Sequence, residues 1–549
     1  MPVRSLGSGF AADGFGPGFG VVAGSLGPGF GVVAGRFGLG VVAGSLGPGF
    51  GVVAGRLGLG VVAGSLGPGF GVVAGRLGPG VVAGSLGPGF GVVAGRLGPG
   101  VVAGSLGMAQ VAAADGPRRG RAAAMVSKER AGAGSAEEPT DQLALRRANL
   151  TRTLRHIRIN GPRSRAAIAA ATGLHKATVS SLVDELLTRR LVREIGAEHS
   201  GGAGRPGRGI ALSPDVGAVG IEINVDYLAV HGSDLTGRTV IEKRISFDAM
   251  HRDVERCLDD LTEAARRSLA ELVRRGVTPV GLTVAVPGLV DVARGVVVLA
   301  PNLGWRDVPV ATRLAHGLAP GLWIGVDNDA NLAALAEYTW GVAAGTDDLV
   351  YLTGEVGVGG GVIVNGRLLR GADGFSGEVG HLPVEPGGTP CGCGRVGCWE
   401  TKVGLAELVR RATPDAAYGL LDGPIPDPQE RIAEVSRRLS AGDRAATEAV
   451  AEVGRWLGHG GAILVNLFNP RVIVLGGYFA ELADHLIPSA QANLARLAVA
   501  STAARCHFVA SHLGFTAAAR GGAGVVVERM IEDPTAVSLS APPPLASVH

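Results

Sequence analysis

The chain has 549 residues, 91 of them Gly, with 4% aromatic and 18% charged residues and a formal net charge of +3. One compact domain takes roughly 100–200 residues, so more than one unit is expected. Five Cys in so long a chain exclude a disulfide-stapled secreted scaffold. The charge is unevenly divided. Lys and Arg against Asp and Glu number 5 to 1 over residues 1–107 (+4), 5 to 4 over 108–140 (+1), 13 to 5 over 141–210 (+8) and 28 to 38 over 211–549 (−10). A short basic block joined to a long acidic one points to a nucleic-acid reader fused to a module that is not one.

Residues 1–107 are a Gly-rich low-complexity repeat. The pentapeptide Gly-Val-Val-Ala-Gly begins at 20, 31, 40, 51, 60, 71, 80, 91 and 100, an alternation of 11 and 9 that makes a 20-residue period. Gly raises the entropy lost on ordering and Pro breaks helix and sheet ladders, so neither element is expected. Arg36, Arg56, Arg76 and Arg96 are separated by uncharged runs, but Gly and Pro at this density do not suit a lipid-facing helix, and no membrane association is expected. No compact apolar segment with a cleavage-like site marks a signal peptide. With 47 Arg against 4 Lys the chain carries the signature of GC-rich coding DNA. Two accounts of the repeat remain: a frame read upstream of a start at Met108 or Met125, or a disordered tail. Residues 108–140 read as a linker.

Residues 141–213 read as a winged helix-turn-helix. Leu143, Leu150, Leu154 and Ile157 recur at helical spacing among arginines, and Asn160-Gly161-Pro162 stops that helix. Ser164 suits the N-cap of a second, Ala-rich helix through Ala171. Gly173 supplies a tight turn, and His175 to Thr188 makes the third helix, with Val179, Leu182, Leu186 and Leu187 as its buried stripe. Lys176, Thr178, Ser180 and Ser181 then face outward at the end where a recognition helix meets bases and phosphates. Leu191–Glu194 and Gly209–Leu212 read as the strands of a wing. In the turn between them, Arg205 of Gly204-Arg205-Pro206 can lay a guanidinium in a minor groove.

The acidic remainder alternates strand-like runs (Ala218–Val230, Gly281–Val286, Trp323–Val326, Leu349–Thr353, Val472–Leu475) with helix-like stretches such as Val254–Arg275 and Asn331–Tyr338, an α/β pattern. Within it, His381 is followed by Cys391, Cys393 and Cys398. Three thiolates and an imidazole complete a tetrahedral Zn²⁺ set with no position open for water, so the site reads as structural. Cys257 and Cys506 stand alone and read as buried apolar residues.

These motifs, in this order, resemble the ROK family (repressors, open reading frames and sugar kinases). The carriers are Val286-Pro287-Gly288-Leu289-Val290-Asp291, Ala300-Pro301-Asn302-Leu303-Gly304-Trp305, Asp327-Asn328-Asp329-Ala330-Asn331, Gly377-Glu378-Val379-Gly380-His381 and the Cys391–Glu400 run. The resemblance implies a multidomain α/β chain, with the winged helix-turn-helix followed at 214–531 by a two-lobed actin-like/hexokinase-like ROK domain and then a disordered tail at 532–549. It also implies a sugar pocket in the cleft, with Asn328, Asp329, Glu378, His381 and Glu400 on the hydroxyls and Gly288 contributing backbone. Carboxylates and amides make the geometry-specific hydrogen bonds that a polyol needs.

A kinase of this family needs Asp329 as general base and an Asp-x-Gly-Gly-Thr phosphate loop after the opening strand. Asp329 is present, but the loop is replaced by Glu222-Ile223-Asn224-Val225-Asp226-Tyr227. Asn224 and Val225 should block the approach to phosphate and Asp226 should repel it, so ATP is not expected as a ligand. The second Gly-rich loop, Thr353–Gly361, is kept with Glu355 inserted. The expectation is a cytoplasmic, sugar-responsive repressor resembling the xylose and N-acetylglucosamine repressors. It should bind operator DNA as a homodimer or higher oligomer and take a monosaccharide or sugar phosphate as effector. An ATP-dependent sugar kinase with a DNA-binding arm is one alternative, and a zinc-stabilised regulator controlled by a protein partner is another.

Overall fold

The computed structural model describes ten short strands between residues 20 and 113, and then residues 138–197, 208–415, 428–499 and 505–537. The chain divides into two compact units, Met1–Ala133 and Gly134–His549. Among the described residues no helix is long and apolar enough to cross a membrane.

In the first unit, the Val-Val-Ala core of each repeat is a strand, from Gly20–Ala23 to Val101–Ala103, and Gln110–Ala113 adds a tenth. The strands make two five-stranded parallel sheets, each drawing one strand from every period. Pairing is in register with the next period, as in Gly20↔Gly40 and Gly31↔Gly51. This overturns the expectation that no sheet forms here. Most of these strands open on one Gly while the Pro and the other Gly fall between them, and a fixed period pairs each segment with its own copy one period on, which a residue-by-residue weighing of Gly and Pro ignores.

The second unit opens with the helix-turn-helix. Its first helix, Glu138–Asn160, starts inside the expected linker. Leu150, Leu154 and Ile157 are buried as the spacing predicts, but Leu143 is 68% exposed and joins no core. Ser164 caps Arg165–Thr172 by accepting from the Ala167 amide at 3.3 Å, and Gly173 closes that helix in the left-handed region (φ 71°). His175 caps the third helix, Lys176–Thr188, in the same manner. Val183, not Leu187, completes its buried stripe; Leu187 is half-buried. The wing strands Val192–Ala197 and Arg208–Leu212 pair antiparallel, and Arg163–Ser164 adds a third strand on the far side of Arg208–Leu212.

Two five-stranded sheets follow with the same topology. The first runs Thr239–Ser246, Tyr227–Asp234, Val216–Ile223, Thr278–Val286, Trp323–Asn328 in spatial order. The second runs Arg367–Leu368, Val358–Val364, Leu349–Gly354, Val472–Gly477, His507–Ala510. In each, two antiparallel pairings are followed by two parallel ones. This duplication makes the two lobes. The run Ala218–Val230, expected as one strand, is a hairpin that turns at Asn224–Asp226. Its residues are buried on both faces, so no polar alternation marks the break.

The helix Ala517–Glu532 ties the parts together. Its Ala523, Val526 and Met530 share one core with Ala218 of the first sheet and with Leu150, Leu154 and Val179 of the helix-turn-helix. Residues 532–537, expected as tail, belong to this packing: Arg189 donates to the Thr535 and Val537 carbonyls at 3.2 and 2.8 Å, and Val537 is buried. The rest of the tail lies outside the described residues.

Candidate functional site

Asp329 begins the helix Asp329–Trp340 where it leaves the last strand of the first sheet, and Asn328 is its N-cap, accepting from the Asn331 amide at 2.9 Å. The Asn328 amide also donates to the Gly288 carbonyl at 3.1 Å, which joins two of the expected sugar-binding residues. Gly288 has φ 121°, and a Cβ there would run into the Leu299 carbonyl, so only Gly fits. Burial, against the pull of the Ala330 amide and with a push from Asp327, raises the Asp329 carboxyl to about 6. Asp327 itself is held by both guanidinium nitrogens of Arg370, at 3.1 and 2.6 Å.

Near it, Glu378 is raised to about 7 by burial and by the carboxylates of Asp329 and Glu400, although its side chain stays 39% exposed. Glu400 starts a short helix, accepts from the Val358 amide at 2.9 Å, and flanks Gly357 together with the Asn302 amide. His381 lies between these acids and the cysteines: its Nε2 is 3.9 Å from Glu378 Oε2 and its Nδ1 is 3.8 Å from Cys391 Sγ. The structure thus brings Gly288, Asn328 and Asp329 together, and Glu378, His381 and Glu400 beside them. Asn302 is an addition: its type suits a sugar hydroxyl, but its motif alone gave no reason to single it out.

The ligand atoms of His381, Cys391, Cys393 and Cys398 all lie within 4.8 Å of one another, so the cluster could hold a metal ion. Tetrahedral bonds of about 2.3 Å separate sulfurs by about 3.8 Å, and Cys393 and Cys398 are 3.7 Å apart. The donor set therefore fits Zn²⁺. Cys391 also lies 3.3 Å from Glu400 Oε1, so the cluster adjoins the acids as well as His381. Cys257 and Cys506 are buried, free thiols.

Residues 222–227, where the resemblance places a phosphate loop, form a side-chain cluster with Glu355. Asn224 bonds to Glu355 and, at 3.2 Å, to Tyr227 Oη; Tyr227 Oη lies 2.7 Å from Glu222 and 2.8 Å from Glu355. Glu222 and Tyr227 belong to the first sheet and Asn224 to the turn between their strands, while Glu355 stands in the turn after Leu349–Gly354 of the second sheet. Burial and the nearby Asp329 raise Glu355 to about 8, and burial with Glu355 raises Glu222 well above the usual carboxylate range. Two expectations change. Val225 does not face a phosphate but enters the core of its own lobe, and Asp226 is ion-paired with Arg431 at 3.4 Å. The acids at this place are Glu222 and Glu355, brought together across 133 residues of sequence.

On the third helix Lys176, Thr178 and Ser181 are exposed and Ser180 is half-buried. Ser181 and Glu185 hold Arg146 of the first helix, with the Arg146–Glu185 pair at 2.6 Å. Arg165 reaches Asp184 at 2.8 Å and wing residue Glu194 at 3.2 Å, fixing the wing against the recognition helix. The expected minor-groove residue, Arg205, lies outside the described residues.

The model of the ROK family matches residues 218–529, and a MarR family model matches 151–205. The chain is 33% identical over 347 residues to a xylose repressor of Caldicellulosiruptor bescii, covering 62% of this chain and 86% of the relative. It is 28% identical over 393 residues to a xylose repressor of Bacillus subtilis, covering 71% and 98%. A solved ROK family transcriptional regulator, described as a homologue of the Escherichia coli MLC protein, superposes with a TM-score of 0.60 at 24% identity, over 71% of this chain and 97% of that one, and shares the fold. A MarR-type winged helix-turn-helix thus precedes an actin-like domain of two duplicated lobes, and the chain belongs to the ROK family.

Proposed function

We propose that this chain is a sugar-responsive transcriptional repressor whose DNA affinity falls when a monosaccharide enters the cleft between its lobes. The observation that carries this reading is the helix Ala517–Glu532, which packs on the cleft's own helix Asp329–Trp340 and on the DNA-binding module at once. Relatives named xylose repressors match most of their length to this chain, which supports the same function. Asn328, Asp329, Glu378, His381 and Glu400 would bind the hydroxyls. Zn²⁺ on His381, Cys391, Cys393 and Cys398 would supply a fixed positive centre that orients the imidazole and its neighbours. Lys176, Thr178, Ser180 and Ser181, with Arg205 of the wing, would contact operator DNA. A homodimer would present two such helices to a two-fold operator.

Sugar can shift this equilibrium only by its differential affinity for closed and open lobes. A coupling of about 1–3 kcal/mol, typical of such systems, gives about 5- to 150-fold weaker DNA binding. The test is fluorescence anisotropy of labelled intergenic DNA flanking this gene, with D-xylose, D-glucose or N-acetylglucosamine added. At least one sugar should weaken binding about tenfold or more, within the range above. DNA binding indifferent to all three sugars would overturn the reading. Lys176→Ala should weaken binding across sequences and reduce the salt slope by about one unit if the ammonium sits on a phosphate. Anisotropy titrations between low and moderate salt measure it, and an unchanged slope removes Lys176 from the backbone contacts.

The reading also carries no kinase activity. Asp329 keeps a base in place, but phosphoryl transfer depends on cradling the phosphates, and Glu222, Asn224, Tyr227 and Glu355 stand there. With ATP and each sugar, ADP release should stay at background. Turnover at ordinary kinase rates, about 1–100 s⁻¹, would replace this reading with the sugar-kinase one.

A further inference from the structure

We propose that the Glu222–Asn224–Tyr227–Glu355 cluster restricts the cleft to uncharged monosaccharides and shuts out any ligand bearing a phosphate, a sugar phosphate as much as a nucleotide. The inference rests on the cleft being a sugar site, and names the class of sugar.

A phosphate needs free N–H donors or a cation, and several amides in the turns of the site are already bonded within the protein. The Asn224 amide donates to the Tyr227 carbonyl at 2.9 Å and the Val225 amide to Asn224 Oδ1 at 2.7 Å. In the second lobe the Glu355 amide donates to the Gly357 carbonyl at 2.9 Å, and the Val358 amide to Glu400. At the start of the helix Asp329–Trp340, Asp329 takes the Ala330 amide and Asn328 takes the Asn331 amide. That positive helix end is already answered by a carboxylate.

The cations on the surrounding elements are engaged too. Arg370 is bound twice to Asp327, Arg431 pairs with Asp226, and Lys402 pairs with Glu385 at 2.6 Å. Arg244 lies over the rings of Tyr227 and Phe515, 4.3 and 5.0 Å from their centroids. Asp329, Glu378 and Glu400 line the site with Asn302 and His381 beside them, and Glu222 and Glu355 lie close to Asp329.

The cluster is also complete in itself. The Tyr227 phenol has one proton to give but lies within hydrogen-bonding distance of both Glu222 and Glu355. One contact therefore runs the other way, with a protonated carboxyl donating to the phenolic oxygen. Asn224 gives its two amide protons among the same partners, one of them Glu355. Inserting a phosphate would break this set and place a dianion against carboxyl groups. Sugar hydroxyls make no such demand, because they donate to carboxylates.

The experiment is calorimetric titration of the full chain with D-glucose, N-acetylglucosamine and D-xylose, then with glucose 6-phosphate, N-acetylglucosamine 6-phosphate, xylose 5-phosphate and ATP. At least one neutral sugar should bind, and its phosphate ester should bind about 100-fold more weakly or not at all, as like-charge placement dictates. The double variant Glu222→Gln, Glu355→Gln should narrow that ratio about tenfold, because each side-chain amide brings N–H donors that a phosphate can use. An ester that binds as tightly as its parent sugar overturns this inference and leaves the sugar site standing. Failure of every sugar and ester to bind a chain that still binds DNA overturns the sugar site, and this inference with it. An unchanged ratio in a folded double variant overturns the role of the cluster; should that variant not fold, the wild-type ratio still decides the class of ligand.

Discussion

Cys393→Ser is expected to strip the chain of stoichiometric metal, lower its melting temperature and abolish its response to sugar. The loop from 381 to 398 contains Pro383, Pro386 and Pro390. Its backbone pairing is confined to the bridges Pro383↔Cys398 and Pro390↔Val396 and a few turn hydrogen bonds. A structural Zn²⁺ contributes apparent binding free energy of about 10–16 kcal/mol in small domains, so losing one of four ligands removes a large share of what holds this loop. Even a net loss of about 2 kcal/mol would lower melting by about 4–8 °C in a domain of some 150–250 residues. The sugar response goes with it because His381 faces Cys391 on one side and Glu378 on the other, and Glu400 contacts the Cys391 thiol. Metal analysis of the purified variant checks the first claim, calorimetric melting the second and anisotropy with sugar the third. One equivalent of metal retained in the variant would remove Cys393 from the ligand set.

Local chemistry made part of this architecture legible. Ser164 as a cap, Gly173 as a turn and the spacing of Leu150, Leu154 and Ile157 are signals within one helix, and each stands where the sequence puts it. The cysteines are close in sequence, so their convergence needs only a turn. Asp329 is legible because Asn328 and Asn331 around it form a helix start. What was not legible is what depends on partners far away. Leu143 has the right spacing but sits beyond the reach of the core, and Val183 joins the buried stripe while Leu187 packs half-buried against it. The hairpin inside Ala218–Val230 is buried on both faces and so carries no alternation. Glu222, Asn224 and Tyr227 find Glu355 only when the two sheets come together. The repeat strands pair one period apart, a signal that lies in the repetition and not in any single segment.

Gly521→Ala should weaken the coupling between sugar and DNA while leaving each module folded. In the helix Ala517–Glu532, a Cβ at Gly521 would run into the backbone carbonyl of Leu332, and one at Gly524 into the Trp340 ring. These glycines let that helix lie against Asp329–Trp340, whose first residue stands in the cleft. The other flank of the same helix reaches the DNA-binding module: Glu528 pairs with Arg158, Thr151 donates to the Glu532 carbonyl at 2.8 Å, and Arg147 pairs with Asp533 at 2.7 Å. Backbone cannot yield as a flexible side chain does, so the added methyl must push the two helices apart. Overpacking of this kind costs about 1–3 kcal/mol, and melting should fall by several degrees. Substitutions in a packed connection change coupling by about 0.5–2 kcal/mol, which would cut the sugar-induced loss of DNA affinity by about 2- to 30-fold. Anisotropy with and without saturating sugar gives the coupling, and direct titration gives the sugar affinity. If the variant melts lower but sugar still releases DNA to the wild-type extent, the signal does not pass between these helices.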